Sequence, residues 1–362
     1  MSYLAAFIST IVLSVILTGG VRRFALRRKL LSAPRDRDIH KKPVPRIGGV
    51  AFFLSFLIVS LVYFLFIDKS TTIATGHWFG FDKKIVAIWI AGIIIAGAML
   101  IDDLKNLPAW VKLLFQMSAV IVVIASGIGI DSLSNPFGQA INLNSVYIPV
   151  NIFGTIYHLS FWSDLLTIFW LVGMMNVINF IDGIDGLAAG VSAIATFIIF
   201  LLSLAVSQGA VAMIAIILCG AAVGFLYWNF YPAKIFMGDS GSMFLGLMLG
   251  VLPLISGGKL ATAFLALGFA IVDGLIVAIA RIIKGKNPFT TADKTHLHHR
   301  FLAAGFSVPT TVLSLYAIAA LFGWVALRST TLNKIIASTI LIILVGVLIV
   351  VLNQIKKKRK HV

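Results

Sequence analysis

The sequence predicts an all-α fold, a polytopic membrane bundle of about eleven transmembrane helices with its N-terminus outside. Three observations carry this. Apolar residues make up 60% of the 362-residue chain and charged ones only 12%, against roughly 45–50% and about 25% in an ordinary soluble domain. Apolar runs near the ~20 residues that cross a hydrocarbon core recur along the chain, whose mean hydropathy is +1.04. The cations lie between the runs: with the N-terminus outside, 23 of the 29 Lys and Arg fall in segments facing the cytoplasm, as the positive-inside rule requires.

The spans are expected near 3–21, 47–67, 85–101, 111–127, 161–178, 187–206, 210–228, 240–256, 260–280, 310–327 and 332–352. The first is long, lacks an early basic region and runs into a basic loop, so it reads as a retained anchor rather than a cleaved signal. Between the fourth and fifth spans lies one long external segment, 127–160, free of Lys, Arg and Glu and suited to a short hairpin. Its Asp131 and His158, and Asp164 just beyond, are scattered and are assigned no chemistry. Cys219 sits within an apolar run as a small buried hydrophobe, and a single cysteine forms no disulfide within one chain.

Charge then narrows the function. A net charge of +16 would suggest nucleic acid as a partner, but topology and anionic membrane lipids account for it, so none is expected. The same orientation sorts the acids, against simple charge balance. All 13 are Asp; Asp36, Asp38, Asp102, Asp103, Asp182, Asp185, Asp239, Asp273 and Asp293 fall at or near the inner face, whereas Asp68, Asp82, Asp131 and Asp164 fall outside. An unpaired carboxylate at depth costs about 2.5–3.5 kcal/mol, so the inner set should share a task or a cation. A cation-coupled transporter is the non-enzyme alternative, but it would place carboxylates near the midplane rather than at one interface.

Four segments and an intramembrane residue concentrate the polar chemistry, and a fifth segment is a weaker candidate. Asp102-Asp103 closes the third span, its two side chains diverging by about 100°, and Lys112 follows on the same face as a point charge suited to a phosphate monoester. Asn176, Asn179, Asp182 and Asp185 recur at three-residue steps; Gly183 and Gly186 could break the helix and gather these oxygens around Mg²⁺ or a sugar. Gly238-Asp239-Ser240-Gly241-Ser242 opens the eighth span, where free N–H groups suit a phosphate and Asp239 implies a bridging cation; ordinary N-capping is the competing reading. His296-Leu297-His298-His299-Arg300 lacks the partners for a Zn²⁺ site and suits hydrogen bonding to phosphate, with Arg300 as a fork. Pro43-Val-Pro45-Arg46-Ile-Gly48-Gly49, at the mouth of the second span, could let backbone approach a ligand. Asp273, inside the ninth span, is an ionisable group with no partner evident in the sequence.

Together, His40-Lys-Lys-Pro43-Val-Pro45-Arg46-Ile-Gly48-Gly49, Asp102-Asp103 with Leu107 and Lys112, Asn179-Phe-Ile-Asp182-Gly-Ile-Asp185-Gly-Leu187, Met237-Gly-Asp239-Ser-Gly-Ser242 and His296-Leu-His298-His299-Arg300 resemble the polyprenyl-phosphate N-acetylhexosamine-1-phosphate transferases. The likeness is to the branch that begins teichoic acid, O-antigen or enterobacterial common antigen synthesis. It implies one membrane domain over 1–362 with a cytoplasmic-face active site in a bacterial inner membrane. The implied reaction is transfer of a HexNAc-1-phosphate, GlcNAc-1-phosphate above all, from a UDP-sugar to undecaprenyl phosphate with release of UMP. Mg²⁺, or Mn²⁺, would be the cofactor, held by Asn179 and Asp239. Asp102, Asp103 and Asp182 would be catalytic; Lys112 would hold the lipid phosphate, Asp185 the nucleotide sugar, and His296, His298, His299 and Arg300 its diphosphate or sugar. Arg46 and Asn176 join the substrate-binding set, and a homodimer is compatible with the family. Two departures stand out. Ser32 replaces the usual Asp before Pro34, and Arg300-Phe301-Leu302 lacks the Phe-Glu ending of the phospho-MurNAc-pentapeptide enzyme, which makes UDP-MurNAc-pentapeptide the lesser alternative.

Overall fold

The computed structural model describes residues 2–31, 43–67, 76–133, 135, 138–152, 155–256, 260–285 and 295–360. Ser32, Asp36, Asp38, His40, Asp68, Asp293 and Lys294 lie outside the described residues. The helices are α1 (Ser2–Arg27), α2 (Gly48–Val62, extended by a π-helical turn over Tyr63–Ile67), α3 (Lys83–Lys105), α4 (Ala109–Ala125), α5 (Phe161–Ile181) and α6 (Leu187–Ala205). They continue as α7 (Gly209–Asn229), α8 (Gly238–Ile255), α9 (Leu260–Ile283), the short α10 (Leu297–Ala303), α11 (Val308–Arg328) and α12 (Thr331–Lys360). Among the described residues, ten stretches are long and apolar enough to cross a membrane. The eleventh expected span, α4, has 17 residues, about 25 Å of helix. It starts beside the end of α3 and ends at Ala125, and a few residues further on the Ile130 amide donates to Thr167 Oγ1 of α5, so this segment traverses the bundle with its neighbours. The protein is thus an all-α, multi-pass membrane protein.

Side-chain size sets which face turns inward. On α1, Ala6, Thr10, Ser14 and Thr18 are buried while Leu4, Ile8, Val12 and Ile16 are exposed. Lipid tails are as apolar as leucine, so close packing of small residues drives association and large side chains face lipid. Thr10 Oγ1 donates to Ala6 O in its own helix, and Ser14 Oγ to Ala221 O of α7, which leaves neither hydroxyl unsatisfied within the membrane. α7 and α8 are buried along most of their length and form the centre.

The basic termini differ from expectation. Arg22, Arg23 and Arg27 lie on the last turns of α1 rather than in a loop, and α12 continues through the basic tail to Lys360. The expected outer hairpin is present. Among the described residues three antiparallel two-stranded pairs occur: β1 (His77–Trp78) with β2 (Phe81–Asp82), β3 (Ser132–Leu133) with β4 (Ile141–Asn142), and β5 (Ile148–Ile152) with β6 (Thr155–Leu159). Asp131 Oδ1 accepts from Asn144 Nδ2 at 2.7 Å, and Asp164 Oδ2 accepts from the Ser160 amide at 3.0 Å. Both acids therefore brace local structure.

Candidate active site at the converging helix ends

The motifs scattered through the sequence meet at one end of the bundle. At its core one carboxylate oxygen from each of Asp102, Asp103 and Asp239 lies within 4.8 Å of the others. Asp102 and Asp103 do diverge in their hydrogen bonds. Asp102 Oδ1 accepts from the Leu107 amide at 2.6 Å and its Oδ2 from Lys112 Nζ at 2.6 Å. Asp103 instead accepts from the Asp239 and Ser240 amides, at 2.8 and 3.1 Å. Asn106, in the left-handed conformation, ends α3 and lets the chain turn directly into α4, which delivers Lys112.

Asp103 overturns one expectation. The N–H groups that open α8 are not available to a substrate phosphate, because a carboxylate from another helix already takes two of them. Met237, at the N-cap position, has no side chain able to do so, and Asp103 supplies both the acceptor and a negative charge favoured at a helix start. Gly238 makes the approach feasible: its φ is +72°, and a Cβ there would fall 2.6 Å from Asp103 Oδ2.

Asp239 is the hub. Its Oδ2 accepts from Lys112 Nζ at 2.8 Å, so one ammonium bridges Asp102 and Asp239. Its Oδ1 accepts from Asn179 Nδ2 at 3.0 Å, and the same amide donates to Ser242 Oγ at 2.9 Å. Asn176, one turn back, donates to Val172 O within α5 and takes no part in this cluster.

The break expected after Asn179 is present: α5 ends at Ile181 and α6 begins at Leu187. Burial, followed by repulsion from Asp239 and Asp103, pushes the Asp182 carboxyl well above the usual carboxylate range, with Arg46 opposing. Asp182, the C-cap residue of α5, therefore lies within electrostatic reach of the cluster. Asp185 is buried, its Oδ2 accepting from the Ala233 amide at 2.8 Å. Asn229, which sequence reading missed, links the same two turns by accepting from the Gly186 amide and donating to Ile235 O. Its only signal was a polar residue at the end of an apolar run. Tyr316 of α11 donates to Gly186 O and was not singled out either.

The Gly48-Gly49 pair has a different role from the one expected. Its amides donate to Phe236 O and Met237 O, while the Phe236 amide donates to Pro45 O. A Cβ on Gly49 would lie 2.1 Å from Gly241 N. The glycines let α2 approach the backbone at the start of α8, not a ligand, and they place Arg46 beside Gly238.

The histidine segment forms α10 and packs against the α5–α6 turn. His296 Nδ1 lies 2.9 Å from Asp273 Oδ2, which gives the intramembrane carboxylate its partner. The Leu297 amide donates to Asp273 Oδ1 at 2.9 Å. His296 also tilts against Phe180 and stacks on His298. His298 is buried beside Gly183; burial, with His299 and His296 alongside, holds its imidazole well below the usual range. Arg300 is not presented as a fork. Its Nε donates to Thr295 O and its Nη1 to Asn353 Oδ1 of α12, so it ties α10 to the C-terminal helix.

Comparison with known proteins supplies the class that this site serves, a membrane-embedded transferase. The chain belongs to glycosyl transferase family 4, the polyprenyl-phosphate N-acetylhexosamine-1-phosphate transferases. The profile described as "Glycosyl transferase family 4" matches residues 85–257. A Bacillus subtilis (strain 168) protein named "Probable undecaprenyl-phosphate N-acetylglucosaminyl 1-phosphate transferase" is 32% identical over 336 residues, 90% of this chain and 85% of the relative. A Mycobacterium tuberculosis (strain H37Rv) decaprenyl-phosphate N-acetylglucosaminephosphotransferase is 34% identical over 323 residues, 83% of this chain and 75% of the relative. A Staphylococcus aureus (strain MW2) phospho-N-acetylmuramoyl-pentapeptide-transferase is 28% identical over 326 residues, 90% and 97% of the two chains.

Proposed function

We propose that the protein transfers N-acetylglucosamine 1-phosphate from UDP-GlcNAc to undecaprenyl phosphate, releasing UMP, at the cytoplasmic face of a bacterial cell membrane, as the first membrane step of a cell-envelope polysaccharide. The observation that carries this reading is the Asp102–Lys112–Asp239 bridge with Asp103 beside it, in a chain whose N-acetylglucosaminyl relatives are 32–34% identical, against 28% for the muramoyl-pentapeptide one.

The three carboxylates offer hard oxygen donors in the number and spacing that suit a divalent cation. Asp239, with Asp102 and Asp103, would hold Mg²⁺ or Mn²⁺; Asn179, expected as a ligand beside Asp239, instead donates its amide N–H to Asp239 Oδ1 and positions that carboxylate. When bound, the ion would neutralise charge on the nucleotide diphosphate.

The rest of the chemistry is assigned to protein groups. A lipid phosphate monoester, with a second pKa near 6, is largely dianionic at neutral pH. Its oxygen attacks the sugar-linked phosphorus; a new P–O bond forms as the bond to the oxygen bridging to UMP breaks. The barrier is then anion against anion, and it falls when positive charge and donors are fixed in advance. Lys112 supplies the charge for the lipid phosphate, and the His296 segment supplies donors for the diphosphate. A covalent route through Asp102 or Asp103 is disfavoured because each carboxylate already accepts two hydrogen bonds, which lowers its nucleophilicity. Purified protein with undecaprenyl phosphate, Mg²⁺ and a panel of UDP-sugars tests the reading. UMP release with UDP-GlcNAc is expected, and release only with UDP-MurNAc-pentapeptide would reassign the substrate.

A further inference from the structure

Resting on that reaction, we infer that Asp273 is a positioning residue. It holds the Nδ1 proton of His296 inward, so that Nε2 is the ring atom offered to the diphosphate.

Asp273 lies on α9 and is 1% exposed. Both its oxygens serve the histidine segment: Oδ2 meets His296 Nδ1 at 2.9 Å and Oδ1 accepts from the Leu297 amide at 2.9 Å. An ionised carboxylate only accepts hydrogen bonds. Facing such a carboxylate, Nδ1 is the proton-bearing nitrogen of the inferred tautomer, and Nε2 is left to exchange its proton or bind a ligand.

The ring is held on its faces as well. Phe180 lies 5.5 Å from it, centroid to centroid, and His298 stacks at 5.9 Å with its plane only 5° away. The neighbour of Phe180 is Asn179, whose amide holds Asp239. The dyad is thereby connected to the carboxylate cluster through two adjacent residues of α5.

Helix capping alone does not account for this arrangement. His296 stands at the N-cap of a seven-residue helix and contributes no side-chain cap. An Asn, Asp or Ser at position 296 would cap α10 locally, without a carboxylate buried in a membrane span. A buried carboxylate paired with Nδ1 fixes the orientation of the imidazole, which local capping does not need. Asp273→Asn would keep an acceptor for the Leu297 amide but turn an NH₂ toward Nδ1. The proton would then move to Nε2, a tautomer exchange known to disable histidine–carboxylate pairs in enzymes.

The test uses the full-length protein in detergent with ¹⁵N-labelled histidine, the His296 signal being assigned by its loss in His296→Gln. The wild-type ring is expected to be protonated at Nδ1, and the Asp273→Asn ring at Nε2 with Nδ1 bare. The KM for UDP-GlcNAc should rise about tenfold or more in Asp273→Asn while the KM for undecaprenyl phosphate is unchanged, and Asp273→Asn/His296→Gln should be no slower than His296→Gln. A wild-type ring protonated only at Nε2 overturns the inference, and so do losses that multiply in the double variant or a KM change equal for both substrates. Should Asp273→Asn fail to fold, the wild-type spectrum still decides. Wild-type protein that shows the Nδ1 tautomer yet releases no UMP would refute the reaction and leave the dyad standing.

Discussion

Lys112 holds two carboxylates that would otherwise repel, and Asp239 is the one that also receives the Asn179 amide. Asp239→Asn removes a charge without changing shape. It should abolish Mg²⁺-dependent UMP release while the protein still elutes as a folded species in detergent; near-normal turnover at low Mg²⁺ would remove Asp239 from the metal site. Asp103 tests the mechanism. If Asp102 or Asp103 were the nucleophile, enzyme and UDP-sugar alone would exchange labelled UMP into UDP-sugar, since that half-reaction needs no lipid. No such exchange is expected. Asp103→Asn, which leaves one of two α8 amides facing an NH₂, should cost about 1 kcal/mol of stability, in the range of a lost helix cap, and slow turnover with UDP-sugar binding retained.

Among the elements, the start of α8 is the most tightly built. Gly49→Ala would set a methyl 2.1 Å from Gly241 N, against backbone that has no rotamer to move. Thermal unfolding should move down by several degrees and turnover should fall with it, because α2 and α8 together place Asp239; unchanged melting would mean that the crossing is looser than described. α10 makes a pH prediction. His298 is buried neutral, with its folded pKa held well below the ordinary value of about 6.5. Its contribution is complete above that value and is lost as pH falls below it, where the unfolded chain takes up the proton first. Melting temperature should therefore drop between about pH 7 and pH 5, and His298→Gln should flatten that slope; an equal slope in the variant would assign the effect to other groups.

For the whole molecule, orientation is the decisive property, because a nucleotide sugar is a cytoplasmic substrate. The 23 of 29 Lys and Arg on one side predict that a cysteine at Lys284 is shielded from an impermeant external thiol reagent and one at Asn144 is labelled. Cys219 is buried and should stay silent in both. The reverse pattern would put Asp102, Asp103, Asp239 and His296 on the wrong side for the proposed reaction.

The span pattern was readable because hydropathy and length decide it locally: each of the eleven expected runs is a helix, and the breaks after Asn179 and before Gly238 fall where glycines and polar residues interrupt apolar sequence. The motif residues were readable as chemistry, since intramembrane carboxylates are too costly to be incidental. Which groups pair was not. Asp103 lies 136 residues before the amide it caps, Lys112 lies 127 before Asp239, and Asp273 lies 23 before His296. Such pairings depend on how helices cross, and the crossings are set by close approaches such as Gly49 on Gly241. Membrane partition therefore determined the spans residue by residue, whereas only packing between distant helices decided which carboxylate meets the lysine, which caps a helix and which holds a histidine.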